Sequence, residues 1–406
     1  KDTRWAKYLY EHLKKRANDD EMVAFGVSEK EMWRVIICID PTLQEGFRIA
    51  IKGSEIELTA ADARQMLWLQ YQLIKKISKE DPRINGSDLP PAIINLTDTC
   101  GTFAFDYQSI YSPSGLNPDY TGVMGLNNFD DSWGIWGHNL RKVLGDNVDK
   151  VYATIHGKTD DSQLCFSSEE MYRQIESYIV DNIGEKGSSR FVIAPDDTPY
   201  ACTCASCTAM GNTEKNATPA VTELLLRLSQ RFPKHSFFTI SYLSTKQVTD
   251  KQLPSNAGII VSAIDFPLRR IDGKNAQEKK FMQQLNQWKK VSKNIYIWDY
   301  INNFDDYLTP FPILKIAQQR LRFFKQNRAS GIFFNGSGYS YSSFDAMRTF
   351  VLSALLINPE LPVEELVRDY FNQEYPLSKK WLYDYYINLE NSVQSGKKLG
   401  IYVGIA

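Results

Sequence analysis

The chain has 406 residues, 13% of them aromatic, and a formal net charge of −1 with its Lys and Arg scattered. That length allows two domains, or one large barrel with an accessory unit. The charge balance argues against a nucleic-acid partner and against an electrostatic membrane anchor. The longest apolar runs, such as 351–357, are too short to cross a bilayer, and six cysteines do not make a disulfide framework here. Its first residue is Lys1 and no signal sequence is present, so the N-terminus reports no compartment.

Residues 1–90 read as a small α/β unit. Trp5, Tyr8, Leu9 and Leu13 share one helical face. Strand-like runs follow at 23–27, 34–40 and 47–52. Gly53 and Ser54 then turn the chain into 55–59, which predicts a hairpin. Met66, Leu69, Leu73 and Ile77 mark a second helix. Residues 81–91 are polar, carry three prolines and read as a linker.

Beyond that linker, strand and helix alternate. The expected strands are 103–107, 151–156, 190–194, 237–242, 258–264, 295–298 and 331–334. Amphipathic helices lie between them, marked by Val221 to Leu228, Phe281 to Trp288, Ile313 to Phe324 and Met347 to Ala354. The fold class this predicts is α/β, a (β/α)8 TIM-like barrel over 91–375. The accessory unit precedes it and a helical extension, 376–406, follows. Seven strands are plain; the eighth is either 120–124 or a segment near the C-terminus. A doubly wound open sheet is the alternative, and no Gly-rich phosphate loop supports it.

In such a barrel the residues just after each strand gather on one functional face. Here that set is polar and aromatic. Asp106 ends the first strand, and the loop after it carries Trp133, Trp136, His138 and Asn139. His156, Asp196 with Asp197, Tyr242, Asp265, Trp298 with Asp299 and Tyr300, and Asn335 end the others. Trp and Tyr stack on the C–H face of a pyranose, and Asp and Asn bond its hydroxyls. Each has a plainer reading: Trp133 and Trp136 pack the loop, and His138 braces the next helix.

The stretch 190–207, RFVIAPDDTPYACTCASC, is the most informative. A buried strand ends in Pro195, Asp196 and Asp197, and a lone Asp-Asp pair can be no more than a polar turn. Three cysteines follow as C-x-C-x-x-C. They could hold zinc with one outside ligand, pair in an oxidising compartment, or stay reduced and packed. No H-E-x-x-H or His pair accompanies them, which argues against a catalytic zinc. They are taken as a brace for the Asp196–Asp197 loop, and no cofactor and no metal are expected at the site.

Six stretches, SWGIWGHNL (132–140), QLCFSSEE (163–170), APDDTPYACTCASC (194–207), ISYLST (240–245), IWDYINNFDDYLTPFP (297–312) and RFFKQNRASGIFFNGS (322–337), resemble a bacterial family long labelled as a domain of unknown function. That family is related to the hexosaminidase and α-glucuronidase barrels, and some members are endo-β-N-acetylglucosaminidases of glycoside hydrolase family 163. The resemblance runs from about 100 to 375 and is most specific in the 297–312 and C-x-C-x-x-C stretches. It implies a glycan-active barrel with its acid after APDD. Residues 1–90 look like the accessory domain of hexosaminidases and α-glucuronidases, without its first strand. It also implies a bacterial protein of the periplasm, the cell surface or the exterior, monomeric or homodimeric. Two departures stand out: the position of Asn335 is often acidic or Gln, and no strand end carries Glu.

Glycoside hydrolysis needs an acid on the leaving oxygen and a second group at the anomeric carbon. On a substrate with a 2-acetamido group, that group's carbonyl can be the nucleophile. Asp197 is then the acid and Asp196 orients the acetamide, or the reverse, with Asp265 and Asp299 in reserve. Neighbours on a strand face opposite ways, so both can serve only if Pro195 breaks the strand first. The expected activity is retaining, substrate-assisted hydrolysis of N-acetylhexosamine-containing glycans. The competing class is a glycan-binding barrel that has lost its acid.

Overall fold

A computed structural model of the protein describes residues 4–14, 34–77, 96–145 and 150–394. The strand expected at 23–27 and the boundary near 90 lie outside those residues.

The N-terminal part holds α1 (Arg4–Lys14), β1 (Arg34–Ile39), β2 (Phe47–Lys52), β3 (Glu55–Ala60), α2 (Ala63–Ile77) and β4 (Thr99–Gly101). The four strands form one sheet, ordered β1-β3-β2-β4. The antiparallel β2–β3 pair is the expected hairpin, with Gly53 at φ +60 where a Cβ would be strained. Leu58, Met66, Leu69 and Leu73 are the centre of a core belonging to this sheet and its helices.

The larger part is a mixed α/β body around a curled parallel sheet, consistent with a TIM-like barrel. Its seven strands are β5 (Tyr107–Tyr111), β6 (Trp133–Ile135), β9 (Arg190–Val192), β10 (Ser236–Ser241), β11 (Ala257–Ser262), β12 (Asn294–Tyr300) and β13 (Gly331–Asn335). They run in the order β5-β13-β12-β11-β10-β9-β6. Inside the curl, Trp133 Nε1 donates to the Tyr107 hydroxyl at 2.7 Å, joining the two edge strands through their side chains. The hairpin β7 (Tyr152–Ile155) and β8 (Lys158–Leu164) stands apart as a two-stranded sheet.

Short helices α3 (Pro113–Leu116), α4 (Pro118–Val123) and α5 (Phe129–Ser132) follow β5. Then come α6 (Glu169–Tyr178), α7 (Ala205–Met210), α8 (Thr218–Arg231), α9 (Ala276–Trp288), α10 (Leu314–Gln326), α11 (Asp345–Ile357), α12 (Val363–Glu374) and α13 (Lys379–Gln394). The four helices expected from periodicity are α8 to α11, and α12 and α13 are the terminal pair.

Alternation along the strands sorts two cores. Val192, Ala194, Phe238, Ile240, Ile260 and Tyr296 fill the interior of the curl. Ile259, Val261, Ile295, Ile297, Ile332 and Phe334 face the helices on the outside.

Four expectations change. The 120–124 run lies largely in α4, and no eighth strand joins the sheet among the described residues. The 151–156 run is half of the β7–β8 hairpin. Its turn, His156 and Gly157, has φ of +50 and +75, the two-residue positive-φ turn that a hairpin favours. The first barrel strand is 107–111, not 103–107. Its buried Gln108 and Ser109 hide it: Gln108 Nε2 donates to Gly125 O and Ser109 Oγ bonds the Tyr107 hydroxyl, at 2.8 Å each. The strand missing from the sequence reading is β6, only three residues long with a glycine at its centre. A Cβ on Gly134 would sit 2.4 Å from the Phe191 ring, so only glycine allows this approach to β9.

Candidate functional site at the sheet mouth

The C-terminal ends of the parallel strands define the mouth. Trp298 of β12 faces inward, and Trp136, just past β6, stacks on it at 5.0 Å and 18°. Phe333 of β13 closes against Trp136 at 4.4 Å. Together they make an aromatic floor. Asn335 ends β13 half-buried, level with Tyr300 across the β12–β13 pair.

Asp197 stands exposed at the start of the loop after β9. The Tyr242 phenol, past β10, faces it. Burial first, then the charge and hydrogen bond of Asp197, push the Tyr242 pKa up to about 12. Tyr300 is raised as well, by burial and then by the neighbouring Tyr242, Asp299 and Asp197, against a hydrogen bond from Ser262. Both phenols therefore stay protonated and can donate. The His138 ring lies 6.0 Å from Tyr242, with Nδ1 2.6 Å from Pro195 O, which ties the β6 loop to the turn that carries Asp197. Asp265 stands further out, with a 58% exposed side chain paired to Lys246 at 2.5 Å.

Asp196 does not share this space. It turns to Arg141, whose Nε donates to its carboxylate at 2.6 Å. Gln163, buried on β8, templates the loop: its amide NH2 reaches Asp196 O, Thr198 Oγ1 and Tyr200 O at 3.0–3.3 Å, and its carbonyl accepts from the Asp196 N–H at 3.0 Å. Gln163 and Arg141 hold the loop in place, and the sequence reading missed both because their partners lie on other elements.

Other expected residues sit elsewhere. Asp106 precedes β5 and is level with Ser330, at the N-terminal rim, where its carbonyl accepts from Arg64 at 3.2 Å. His156, at the hairpin turn, lies 3.5 Å from Glu214. Trp133 is packed inside the curl, and the Asn139 amide caps Trp136 O at 2.8 Å. Asp299 faces outward because Tyr296, Trp298 and Tyr300 take the inward positions of β12. It is buried in an ion pair with Arg320 of α10 at 2.6 Å, each 1% exposed. Tyr111, the last residue of β5, and Tyr339 beside it at 6.0 Å were not expected at the mouth. Placing β5 four residues later would have found Tyr111.

Four thiols gather behind the mouth. Cys165, just after β8, meets Cys202, Cys204 and Cys207, and all four Sγ atoms lie within 4.8 Å of one another. The fourth member was missed because the C-x-C-x-x-C run gives no sign of its partner. A separate cavity of about 620 Å³, lined by Met282, Asn286 and Phe323, lies on the flank beside α9 and away from the mouth.

A curled parallel sheet with polar and aromatic side chains at its C-terminal mouth places the protein among barrel-type α/β proteins. A family model described as domain of unknown function DUF4838 matches residues 142–386, and the chain belongs to that family. No curated protein matches it in sequence. Among solved structures it is similar to CpGH89 from Clostridium perfringens, in complex with its substrate GlcNAc-alpha-1,4-galactose. That match has 10% identity and a TM-score of 0.56, over 98% of this chain and 53% of that one. A beta-N-acetylhexosaminidase from Bacteroides fragilis matches at 12% identity and TM-score 0.52, over 95% and 90%. A GH138 enzyme targeting pectin rhamnogalacturonan II matches at 8% and 0.50, over 97% and 67%. The chain thus spans about half to nine tenths of these proteins, and the likeness is one of fold.

Proposed function

We propose that the protein is a glycoside hydrolase acting on N-acetylhexosamine-containing glycans, with Asp197 as proton donor and the substrate's own acetamide as nucleophile. The observation that carries this is the isolation of Asp197. It stands beside Tyr242 and Tyr300, at the mouth that also holds the Trp136–Trp298 stack, while Asp196 is bound to Arg141, Asp265 is paired with Lys246 and Asp299 is turned out to Arg320. A two-carboxylate mechanism needs a second carboxylate across the scissile bond. A substrate-assisted one needs a single acid and polar groups for the acetamide, which Tyr242 and Asn335 offer. Asp197 protonates the glycosidic oxygen as the acetamide oxygen attacks the anomeric carbon. Asp197 then takes a proton from the water that opens the oxazolinium ring, and the configuration is retained.

The fold neighbours support this reading: CpGH89 is in complex with its substrate GlcNAc-alpha-1,4-galactose, and the Bacteroides fragilis protein is a beta-N-acetylhexosaminidase. The finer placement, with the family 163 endo-β-N-acetylglucosaminidases, rests on the sequence stretches alone. In the same reading the N-terminal sheet is the accessory domain of such barrels, and the protein works outside the cytoplasm.

The test is turnover of aryl N-acetylhexosaminides and release from native N-glycans, with the unmodified protein and Asp197→Asn. The proposal requires turnover by the first, its loss in the second, and partial rescue by a leaving group that needs no proton. The second reading, a non-catalytic glycan-binding barrel, is favoured by Asn335, at a position that the resemblance implies is often acidic or Gln. Glycan binding with no turnover by the unmodified protein would establish that reading instead.

A further inference from the structure

We propose that Cys165, Cys202, Cys204 and Cys207 bind one zinc ion as four thiolates, forming a structural staple behind the candidate acid loop. This rests on the cluster alone and is independent of the proposed activity.

The geometry fits a single tetrahedral ion. Cys165 Sγ lies 3.7 Å from Cys204 Sγ and 3.8 Å from Cys207 Sγ. A tetrahedron with zinc–sulfur bonds of about 2.3 Å has edges of about 3.8 Å. These separations are nearly twice a disulfide bond of about 2.05 Å, and all four cysteines are free. An iron–sulfur cluster places several irons and sulfides between its thiolates and spreads them wider. Four soft sulfurs with no carboxylate or imidazole among them select zinc over the hard divalent cations.

The surroundings suit thiolates. The Thr154 N–H donates to Cys202 Sγ at 3.2 Å, and the Cys207 N–H points to Cys204 Sγ at 3.5 Å. Such bonds spread the negative charge that four thiolates bring to one ion. Cys165, Cys202 and Cys207 are buried and Cys204 half-buried, so no position is left open for a water or a substrate. A closed four-cysteine site is structural and not catalytic. Binding displaces the protons of whichever thiols are still protonated, so zinc enters as the cluster ionises.

The ion would join two separate stretches of chain. Cys165 follows β8, Cys202 and Cys204 lie on the loop after β9, and Cys207 sits in α7, which that loop enters. The same loop carries Asp197, and Gln163, two residues before Cys165, already templates it. Zinc would fix the cysteine end of a segment whose other end reaches the mouth.

The decisive measurement uses the unmodified protein, purified without chelator. Metal analysis by plasma mass spectrometry should find about one zinc per chain. Cobalt(II) in its place should give the visible bands of a tetrahedral thiolate site. Cys165→Ser and Cys204→Ser should each lose the metal, whereas Cys38→Ser and Cys100→Ser, at exposed positions, should keep it. Stripping the zinc from the unmodified protein under reducing conditions should lower Tm by more than about 5 °C, and adding zinc back should restore it. Four freely titrating thiols with no zinc uptake, an intact mass lowered by disulfide formation, or iron in place of zinc would each overturn the assignment.

Discussion

The ends of β9 and β12 both offer an aspartate in a sequence context that promises chemistry, and the fold uses them in opposite ways. Asp197 lies past Pro195, beyond the last ladder residue of β9, and stands exposed beside Tyr242. Asp299 is still within the β12–β13 ladder, paired with Phe334, and strand alternation sends it outward to Arg320. Burial raises its pKa and Arg320 lowers it, so the pair survives only because each partner is present. A residue held by the ladder inherits the parity of its strand. One that lies beyond the ladder's end is free to serve the mouth.

Four measurements would break or sharpen that contrast, in order of expected size. Asp197→Asn should cost 10²–10⁴-fold in turnover, as loss of a general acid does at about that range, with Tm unchanged. A large fall in Tm would mean that Asp197 is structural. Asp299→Ala should do the reverse. It should destabilise the fold by about 3–5 kcal/mol by leaving Arg320 buried and unpaired, while the double change Asp299→Leu with Arg320→Met should recover most of that loss in a denaturant titration. If Asp299→Ala kept full stability and lost turnover, the roles assigned to the two strand ends would be exchanged.

Gln163→Ala should cost about 1–3 kcal/mol, because it strips several bonds from one buried loop. It should also slow turnover by misplacing Asp197, without altering the dependence on leaving group. An altered leaving-group dependence would put Gln163 in the chemistry itself. The smallest effect belongs to Arg141→Ala. Its pair with Asp196 is partly exposed and worth about 0–1 kcal/mol. Turnover should fall by less than about tenfold if Asp196 only holds the loop. A drop as large as that of Asp197→Asn would return Asp196 to the catalytic pair.

Periodicity made α1, α2 and α8 to α11 legible, but α6 went unread. Gly53 marked the hairpin, and the apolar runs marked five of the seven sheet strands. Two kinds of strand escaped. β6 is too short for its alternation to register, and β5 carries buried Gln108 and Ser109 whose partners are tertiary. The 151–156 run was visible as a strand, but a run does not say which sheet it joins. Of the mouth, Asp197, Tyr242, Trp298, Tyr300 and Asn335 were legible as strand-end residues, and Trp136 and His138 as residues of a long loop. Asp106, His156 and Asp299 were legible only as polar residues near a strand end, and that is too coarse when a shift of one residue reverses the face and one of four changes the rim.

The sequence by itself determined the alternating α/β grammar, the strand end after which Asp197 follows, and three of the four thiols. The tertiary structure alone decided that Asp299 points away, that Asp196 is held by Arg141, and that Cys165 completes the cluster. The physical reason is the same in each case. Local pattern sets which face of an element is apolar, but contacts between residues far apart in the chain are set by how strands pair and in what register.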